Sequence, residues 1–525
     1  MIVKCDSFWS YIINEPDSTI EQIKSLLTQS DYDYKSEQTN LTPFYLECPT
    51  ILDKYKVLKF PTGLCKYIQD KLHLEIEEHS LIDKIYTSDE VRTVCEEITK
   101  INPQFEIRDY QIEAVLASLN RYQSLILSSV GSGKTSVMSI VVKMLNTHKI
   151  LVTNDNGFIL QQIKDRFLSI GISEDEISMD INDLSKRICI LTSDILYSHL
   201  KRNDQILINY LQQINTFIVD EAQHLQSISG FAPLLYTQIG VLKHVIGYSG
   251  SPFRNHKYPY KNLMDFTTIA LLGEPAFIYD MDDAINNGNI AKVYSYFINY
   301  NGKKSFLSDY LDYFVLYRHN IQNNIARNRA GMEMIKYLNK YNIKTLVLFN
   351  YIDKHALPIM KQLKQEGVKA LMIRGGAGTV KGVPQGIIYE YTDKLKKKET
   401  KGPISVITDA LDNGYNIIFA SSILNEGVDI EAFDAGILFA GGKSPISLTQ
   451  QTGRVSRKKH NGLNVSLIID FKDINCNGMF VGQYNKRKQL MRDKGVTNIE
   501  KVEDFCNLVQ EIASSKLNKE VANNE

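Results

Sequence analysis

The chain has 525 residues, enough for three or four domains of ordinary size rather than one. Lysine plus arginine and aspartate plus glutamate both number 60, a net charge of zero, so there is no global pull toward nucleic acid or an anionic membrane and any such binding must rest on local patches. The seven cysteines form no CxxC pair, which argues against a zinc ribbon, and their odd count in so long a chain argues against a secreted disulfide framework.

The N-terminus, MIVKCDSFWSYIINEPD, has no basic stretch leading into an apolar one, so no secretory signal is expected. No apolar run reaches the length of a membrane span. The expectation is a soluble, cytoplasmic protein without membrane partners. Residues 1–98 mix strand-like and helical pieces, carry the only tryptophan, Trp9, and read as a small α+β accessory domain.

Residues 99–288 alternate short apolar runs with helical stretches, the pattern of a parallel βαβ domain. The expected strands are Ser124–Leu127, Lys149–Thr153, Ile188–Thr192, Thr216–Val219 and His244–Tyr248. Residues 288–301 read as the join to a second domain of the same kind, residues 289–473. Its expected strands are Lys344–Phe349, Val368–Ile373, Asn416–Ala420, Gly436–Ala440 and Asn464–Ile469. The lysine-rich run KLKKKETK at 394–401 reads as an exposed loop, either simple solvated surface or a phosphate-contacting insertion. Residues 474–525 read as a polar helical extension whose last dozen residues fray.

Six stretches carry chemistry. Arg108-Asp109-Tyr110-Gln111 precedes the first strand, and Gln111 can make a two-pronged amide contact with adenine. SSVGSGKTS, Ser128–Ser136, follows that strand and opens a helix, the context of a phosphate-binding loop. Gly131 and Gly133 let the backbone turn its N–H groups of Ser129–Thr135, Val130 and Ser132 included, toward phosphate oxygens, and the helix adds its positive end. Lys134 would reach the β/γ-phosphates, Thr135 would offer a hydroxyl to Mg²⁺, and Ser136 continues the cradle. Ser128 stands where the full GxxxxGK[ST] pattern has its first glycine, which is tolerable if the backbone there keeps a negative φ.

FIVDEAQH, Phe217–His224, ends an apolar strand in two carboxylates. Asp220 would hold Mg²⁺ and Glu221 would polarise the attacking water. Gln223 and His224 read as a relay of nucleotide state. Ser249-Gly250-Ser251-Pro252 ends the next strand with small hydroxyls suited to sensing a γ-phosphate. In the second domain, Asn425–Ile430 places Gly427 at a tight turn and Asp429 as a polar cleft residue. QQTGRVSR, Gln450–Arg457, sets Arg454 and Arg457 one helical turn apart. A guanidinium aimed at the γ-phosphate stabilises charge that develops in the transition state. The other reading of this stretch is a solvated basic helix running into Lys458, Lys459 and His460.

In order, RDYQ, GSGKT, ILQQ, LTSD, DEAQ, SGS, LVLFN, NEGVD and QQTGRVSR resemble the motif series of superfamily-two helicases across residues 105–470. GYSGSPFRN, GILFAGGKSPISLTQQTGRVSRK and the N-terminal LKFPTGLCKYIQDKL are similar in particular to the UvsW-type recombination helicases of T-even phages. The resemblance implies an α/β fold of two tandem RecA-like parallel-sheet domains flanked by the small N-terminal domain and the helical extension. It implies ATP with Mg²⁺ in the cleft and a nucleic-acid strand passing Gln162, Thr192, Ser193 and Asn350. It implies a leading module that helps grip duplex DNA, and unwinding or branch migration of forks, Holliday junctions and R-loops in phage replication and repair. The partners implied are branched or duplex DNA, an RNA–DNA hybrid, and single-strand-binding and recombination proteins of phage or host, with the chain itself a monomer. The sequence departs from the pattern at Asn154-Asp155, where Pro-Thr is usual, at Gln451, where relatives carry an arginine, and in a long segment from Gly375 to Lys401. Alternatives are a restriction-type duplex translocase without strand separation, an RNA helicase, and a non-catalytic nucleic-acid scaffold with a degenerate motor.

Overall fold

The computed structural model describes residues 2–4, 9–13, 15–33, 38–48, 57–78, 84–129, 131–223, 231–240, 242–250, 253, 263–302, 304–305, 307–308, 311–375, 379–380, 383–384, 387–391, 397–399, 403–420, 433–441 and 463–522. The chain forms two compact units: Met1–Ser129 with Gly133–Asp280, and a second built on Met281–Glu525.

The first unit is built on a seven-stranded, wholly parallel sheet. Its strands are β1 (Gln123–Ser128), β2 (Ile150–Asn154), β3 (Ile177–Ser178), β4 (Ile188–Thr192), β5 (Thr216–Asp220), β6 (His244–Ser249) and β7 (Pro275–Tyr279), in the order β3-β4-β2-β5-β6-β1-β7. β2, β5 and β6 are buried along their whole length. That is why they read as continuous apolar runs rather than alternating ones: a parallel sheet is covered on both faces. One face carries α1 (Asp109–Leu119), α2 (Lys134–Met144) and α3 (Gly157–Ser169), whose Ile112, Val115, Met138, Val141 and Ile163 share a core with Val152 and Ile218.

The other face shares its core with the N-terminal residues. A five-stranded sheet from residues 2–78 contributes Ile2, Trp9 and Phe60, and the short turn after its 57–61 strand contributes Leu64, to one cluster with Leu151, Phe217 and Leu271. Phe44 stacks edge-on against Phe266 at 4.9 Å, and Lys66 pairs with Glu274 at 2.7 Å. Gly63 packs so tightly that a Cβ there would lie 1.9 Å from the Ile269 carbonyl oxygen.

The second unit holds a nine-stranded sheet. Its strands are β8 (Lys292–Ile298), β9 (Thr345–Leu348), β10 (Ala370–Gly375), β11 (Ile387–Tyr391), β12 (Lys397–Glu399), β13 (Ile417–Ala420), β14 (Ala435–Leu438), β15 (Val465–Phe471) and β16 (Thr497–Ile499). The order is β12-β11-β10-β13-β9-β14-β15-β8-β16. Seven strands run parallel, and β11 and β12 extend the β10 edge antiparallel. Both units are therefore RecA-like parallel-sheet domains, and helices close the C-terminal region, at 478–493 and 502–522. Among the described residues no helix is long and apolar enough to cross a membrane.

All ten expected strands are present. Three expectations are corrected. The join placed at 288–301 contains β8, paired in register with β15 from Lys292↔Val465 to Ile298↔Phe471. The lysine-rich loop at 394–401 contains β12, paired with β11. The tail expected to fray is helical through Ala522.

Candidate functional site

Five strands of the first sheet end on one edge, and each last residue bears on the site: Ser128 of β1, Asn154 of β2, Asp220 of β5, Ser249 of β6 and Tyr279 of β7. The carboxyl edge of a parallel sheet is where such folds place ligands, because connections leave it and helix N-termini converge there.

Between β1 and α2 the chain turns through Gly131 and Gly133, both left-handed with φ of +88° and +83°, a conformation that favours glycine. Ser128 ends its strand without a positive φ, which meets the condition for a missing first glycine. The Lys134 ammonium donates to the Ser128 carbonyl at 3.2 Å. Ser129 N–H donates to the Tyr279 carbonyl at 3.0 Å, which ties the loop to β7. Gln111 is buried, and a Cβ on Gly133 would lie 2.4 Å from its amide nitrogen. Its Oε1 accepts from Arg108 N–H at 3.0 Å, so the amide NH₂ is the end turned toward the loop. The Arg108 guanidinium donates to the Tyr110 hydroxyl at 3.0 Å, and Tyr110 stacks on Tyr279 at 3.8 Å and 5°. Arg166 donates to the Ser136 hydroxyl at 2.9 Å and lies over the Phe105 ring.

Beside the loop stands the acidic pair. Asp220 is 6% exposed. Burial, then the Glu221 carboxylate beside it, push its pKa up to about 7, while the Lys134 charge pulls the other way. Glu221 leaves the strand with φ of +50°, an uncommon backbone state for a side chain of its size. Gln223 donates to Glu221 Oε2 at 2.8 Å, and Ser249 Oγ donates to Gln223 Oε1 at 2.6 Å. A hydrogen-bonded chain thus runs from the β6 terminus through Gln223 to Glu221.

In the sequence Asn154 is only a departure from the usual motif pattern. Its Oδ1 accepts Asn156 N–H at 2.8 Å, which fixes the amide orientation. Its Nδ2 then faces Asp220, 3.3 Å from both the backbone oxygen and Oδ2. A buried polar residue ending a strand next to the one that bears Asp220 was the signal available, and the pairing of β2 with β5 was needed to use it.

A Mg²⁺ ion fits this edge. Among the described residues no group of three or more acidic, histidine or cysteine side chains could hold a metal alone. A site of one or two carboxylates completed by substrate phosphates and water is the usual Mg²⁺ arrangement, and Asp220 with Thr135 could supply the protein's share. A cation there would relieve the buried carboxylate.

Of the expected strand-contacting residues, Thr192 caps the following helix through Ile195 N–H at 3.3 Å. Ser193 is buried, with its hydroxyl 3.3 Å from that of Thr153. Gln162 is half-buried on α3. Asn350, exposed after β9 in the second unit, donates to the Ala440 carbonyl at 3.0 Å. Val130, His224, Ser251, Pro252, Gly427, Asp429, Arg454 and Arg457 lie outside the described residues.

Residues 104–252 match the family described as type III restriction enzyme, res subunit, and residues 328–459 match the helicase conserved C-terminal domain. "Putative helicase 22" of Sulfolobus islandicus filamentous virus is 22% identical over 382 residues, 68% of this chain and 62% of that protein, so the match spans about three fifths of the relative. The "DNA 3'-5' translocase XPB2" of Sulfurisphaera tokodaii is 24% identical over 429 residues, 78% of this chain and 89% of that protein. Among solved structures, S. cerevisiae Dbp5 bound to RNA and ADP–BeF3 aligns over 81% of this chain and 99% of its own, at TM-score 0.54 and 13% identity. T4 UvsW aligns over 95% and 98%, at TM-score 0.42 and 16% identity. With the restriction-enzyme res-subunit family matched on its first parallel-sheet unit and the helicase C-terminal family on its second, the chain belongs to the superfamily-two helicases.

Proposed function

We propose that the chain is a DNA helicase that unwinds or branch-migrates forks, junctions and R-loops during phage replication, recombination and repair, working in the host cytoplasm as a monomer. The observation that carries the motor is the sheet edge where Lys134, Asp220 and Glu221 meet and where Ser249 and Gln223 bond in series to Glu221. In this reading Lys134 and the backbone of Ser129–Ser136, Val130 included, bind the phosphates, and Arg108 and Gln111 take the adenine. Asp220 and Thr135 hold Mg²⁺, which screens phosphate charge when bound. Glu221 orients the attacking water and accepts its proton. The Gln223 bond fixes the Glu221 carboxylate, and the Ser249–Gln223 link carries the state of the site toward the β6 terminus. Arg454 and Arg457 are assigned to the transition-state charge, and Gly427 and Asp429 to the nucleotide. Gln162, Thr192, Ser193 and Asn350 are assigned to the strand. Residues 1–98 are assigned to duplex DNA, 99–288 and 289–473 to the two motor domains, and 474–525 to the extension.

The branched-DNA preference draws support from the resemblance to UvsW-type helicases. A second reading, a duplex translocase without strand separation, is favoured by the restriction-subunit match at 104–252 and by the named translocase relative. The deciding experiment is an unwinding panel of plain duplex, fork, Holliday junction, D-loop and R-loop. The helicase reading expects strand release from the branched substrates. ATP-driven movement along duplex with no strand released would favour the translocase.

A further inference from the structure

The second unit holds a cavity of about 400 Å³. Its walls include two π-helical turns, Arg318–Gln322 and Ile352–Ala356. Such turns are rare and recur at functional sites, because the extra residue pushes side chains out of the regular helical row. Here they present Arg318 and Lys354, both exposed and neither in an ion pair among the described residues.

The third wall is aromatic. Phe314 is 62% exposed beside Tyr313 and Val315, on the single helical turn Tyr313–Tyr317. A rigid frame keeps the ring there. Asp312 caps the turn through Phe314 N–H at 2.8 Å. The Tyr317 hydroxyl donates to the Ala440 carbonyl at 2.8 Å, beside the Asn350 bond to the same oxygen. Tyr351, half-buried, meets Tyr317 edge-on at 5.3 Å. A flat apolar surface next to two uncommitted cations complements a base with its flanking phosphates. A duplex offers no free base face, so the matching ligand is single-stranded.

We propose that this cavity is a single-strand stacking site in which Phe314 and Tyr351 take one unstacked base and Arg318 and Lys354 take the adjacent phosphates. The proposal rests on the motor reading above and deepens it: the chain grips bases as well as backbone, which makes it sensitive to strand separation itself.

The test compares the full-length chain's affinity for a thymine oligonucleotide with its affinity for the same strand made abasic at consecutive positions. The unaltered chain should favour the base-containing strand about tenfold, within the range for stacking on protein aromatics. Phe314→Leu keeps most of the apolar volume, and its urea midpoint reports folding. It should bring that ratio close to one, while Phe314→Trp should keep it. Arg318→Ala with Lys354→Ala should weaken both strands alike and flatten the salt dependence by about two phosphates. A ratio of one in the unaltered chain, or a ratio unchanged by Phe314→Leu, overturns the proposal. So does a Phe314→Leu effect seen only on sedimentation, which would make the patch a contact between copies of the chain. ATP hydrolysis with and without DNA is measured in parallel. No stimulation refutes the motor reading; stimulation with an unchanged ratio refutes the stacking site alone.

Discussion

Asp220 in the first unit and Asp473 in the second are both buried, 6% and 0% exposed, yet their surroundings are opposite. Asp220 has another carboxylate as its neighbour, and the Lys134 charge, a bond from the Glu221 backbone and the long Asn154 contacts do not offset burial, so its pKa rises to about 7. Asp473 accepts from Arg327 at 2.9 Å, from Arg487 at 3.1 Å and from the Tyr300 hydroxyl at 2.8 Å. Arg487 also bonds Asp470 at 2.7 and 3.2 Å. Burial opposes its charge, but the two aspartates outweigh that and its pKa is raised. A buried charge left under-compensated marks a place prepared for a ligand. A buried charge compensated on every side is part of the frame.

That contrast can be broken at four points. The largest effect is expected from Glu221→Gln: ATP turnover should fall about 10³-fold, roughly 4 kcal/mol of barrier, with little change in the urea midpoint, because Glu221 is part-exposed. Asp473→Ala should do the reverse. It leaves the buried Arg327 without its carboxylate and Arg487 with Asp470 alone, and should lower unfolding free energy by about 3–5 kcal/mol in urea titrations; a loss below about 1 kcal/mol would remove the second unit's side of the comparison.

Next is His355, in the same core, bonded to Asn328 at 3.0 Å. Burial, then the Arg327 charge, push its pKa from 6.5 down to about 3. The unfolded chain therefore takes up a proton near pH 6.5 and the folded chain does not until about pH 3. The stabilisation is whole above pH 6.5 and is lost as pH falls, by about 2 kcal/mol between pH 7 and pH 5. His355→Phe should flatten that slope in unfolding measured across pH. The smallest effect belongs to Asn154→Ala. Partners of metal ligands typically influence metal affinity by 10- to 100-fold, and the long Asn154 contacts predict about tenfold weaker Mn²⁺ binding to the AMP-PNP complex, read by EPR without turnover. Unchanged Mn²⁺ affinity would show that Asn154 does not position Asp220.

Much of this was legible in the sequence. Strands buried on both faces announce themselves as apolar runs, so the ten central strands were readable, as were Ser128–Ser136 and Asp220–Glu221. What was missed lies at sheet edges or depends on distant pairing. β8 is a mixed polar and aromatic run, KVYSYFI, whose neighbour β15 comes about 170 residues later in the chain, and β16 is three residues long. Asn154 looked like a departure because its role exists only once β2 lies beside β5. Tyr279 reaches the phosphate loop through a backbone carbonyl, which no residue pattern reports. The π turns at 318–322 and 352–356 leave no mark in hydrophobic periodicity.

The central claim is that the edge formed by Lys134, Asp220 and Glu221 is an ATP site driven by nucleic acid. Steady-state ATP hydrolysis, with and without DNA, for the unaltered chain and for Lys134→Ala, tests it most directly. The account predicts turnover that rises with DNA and collapses in the variant. Turnover indifferent to DNA, or full activity in Lys134→Ala, would contradict it.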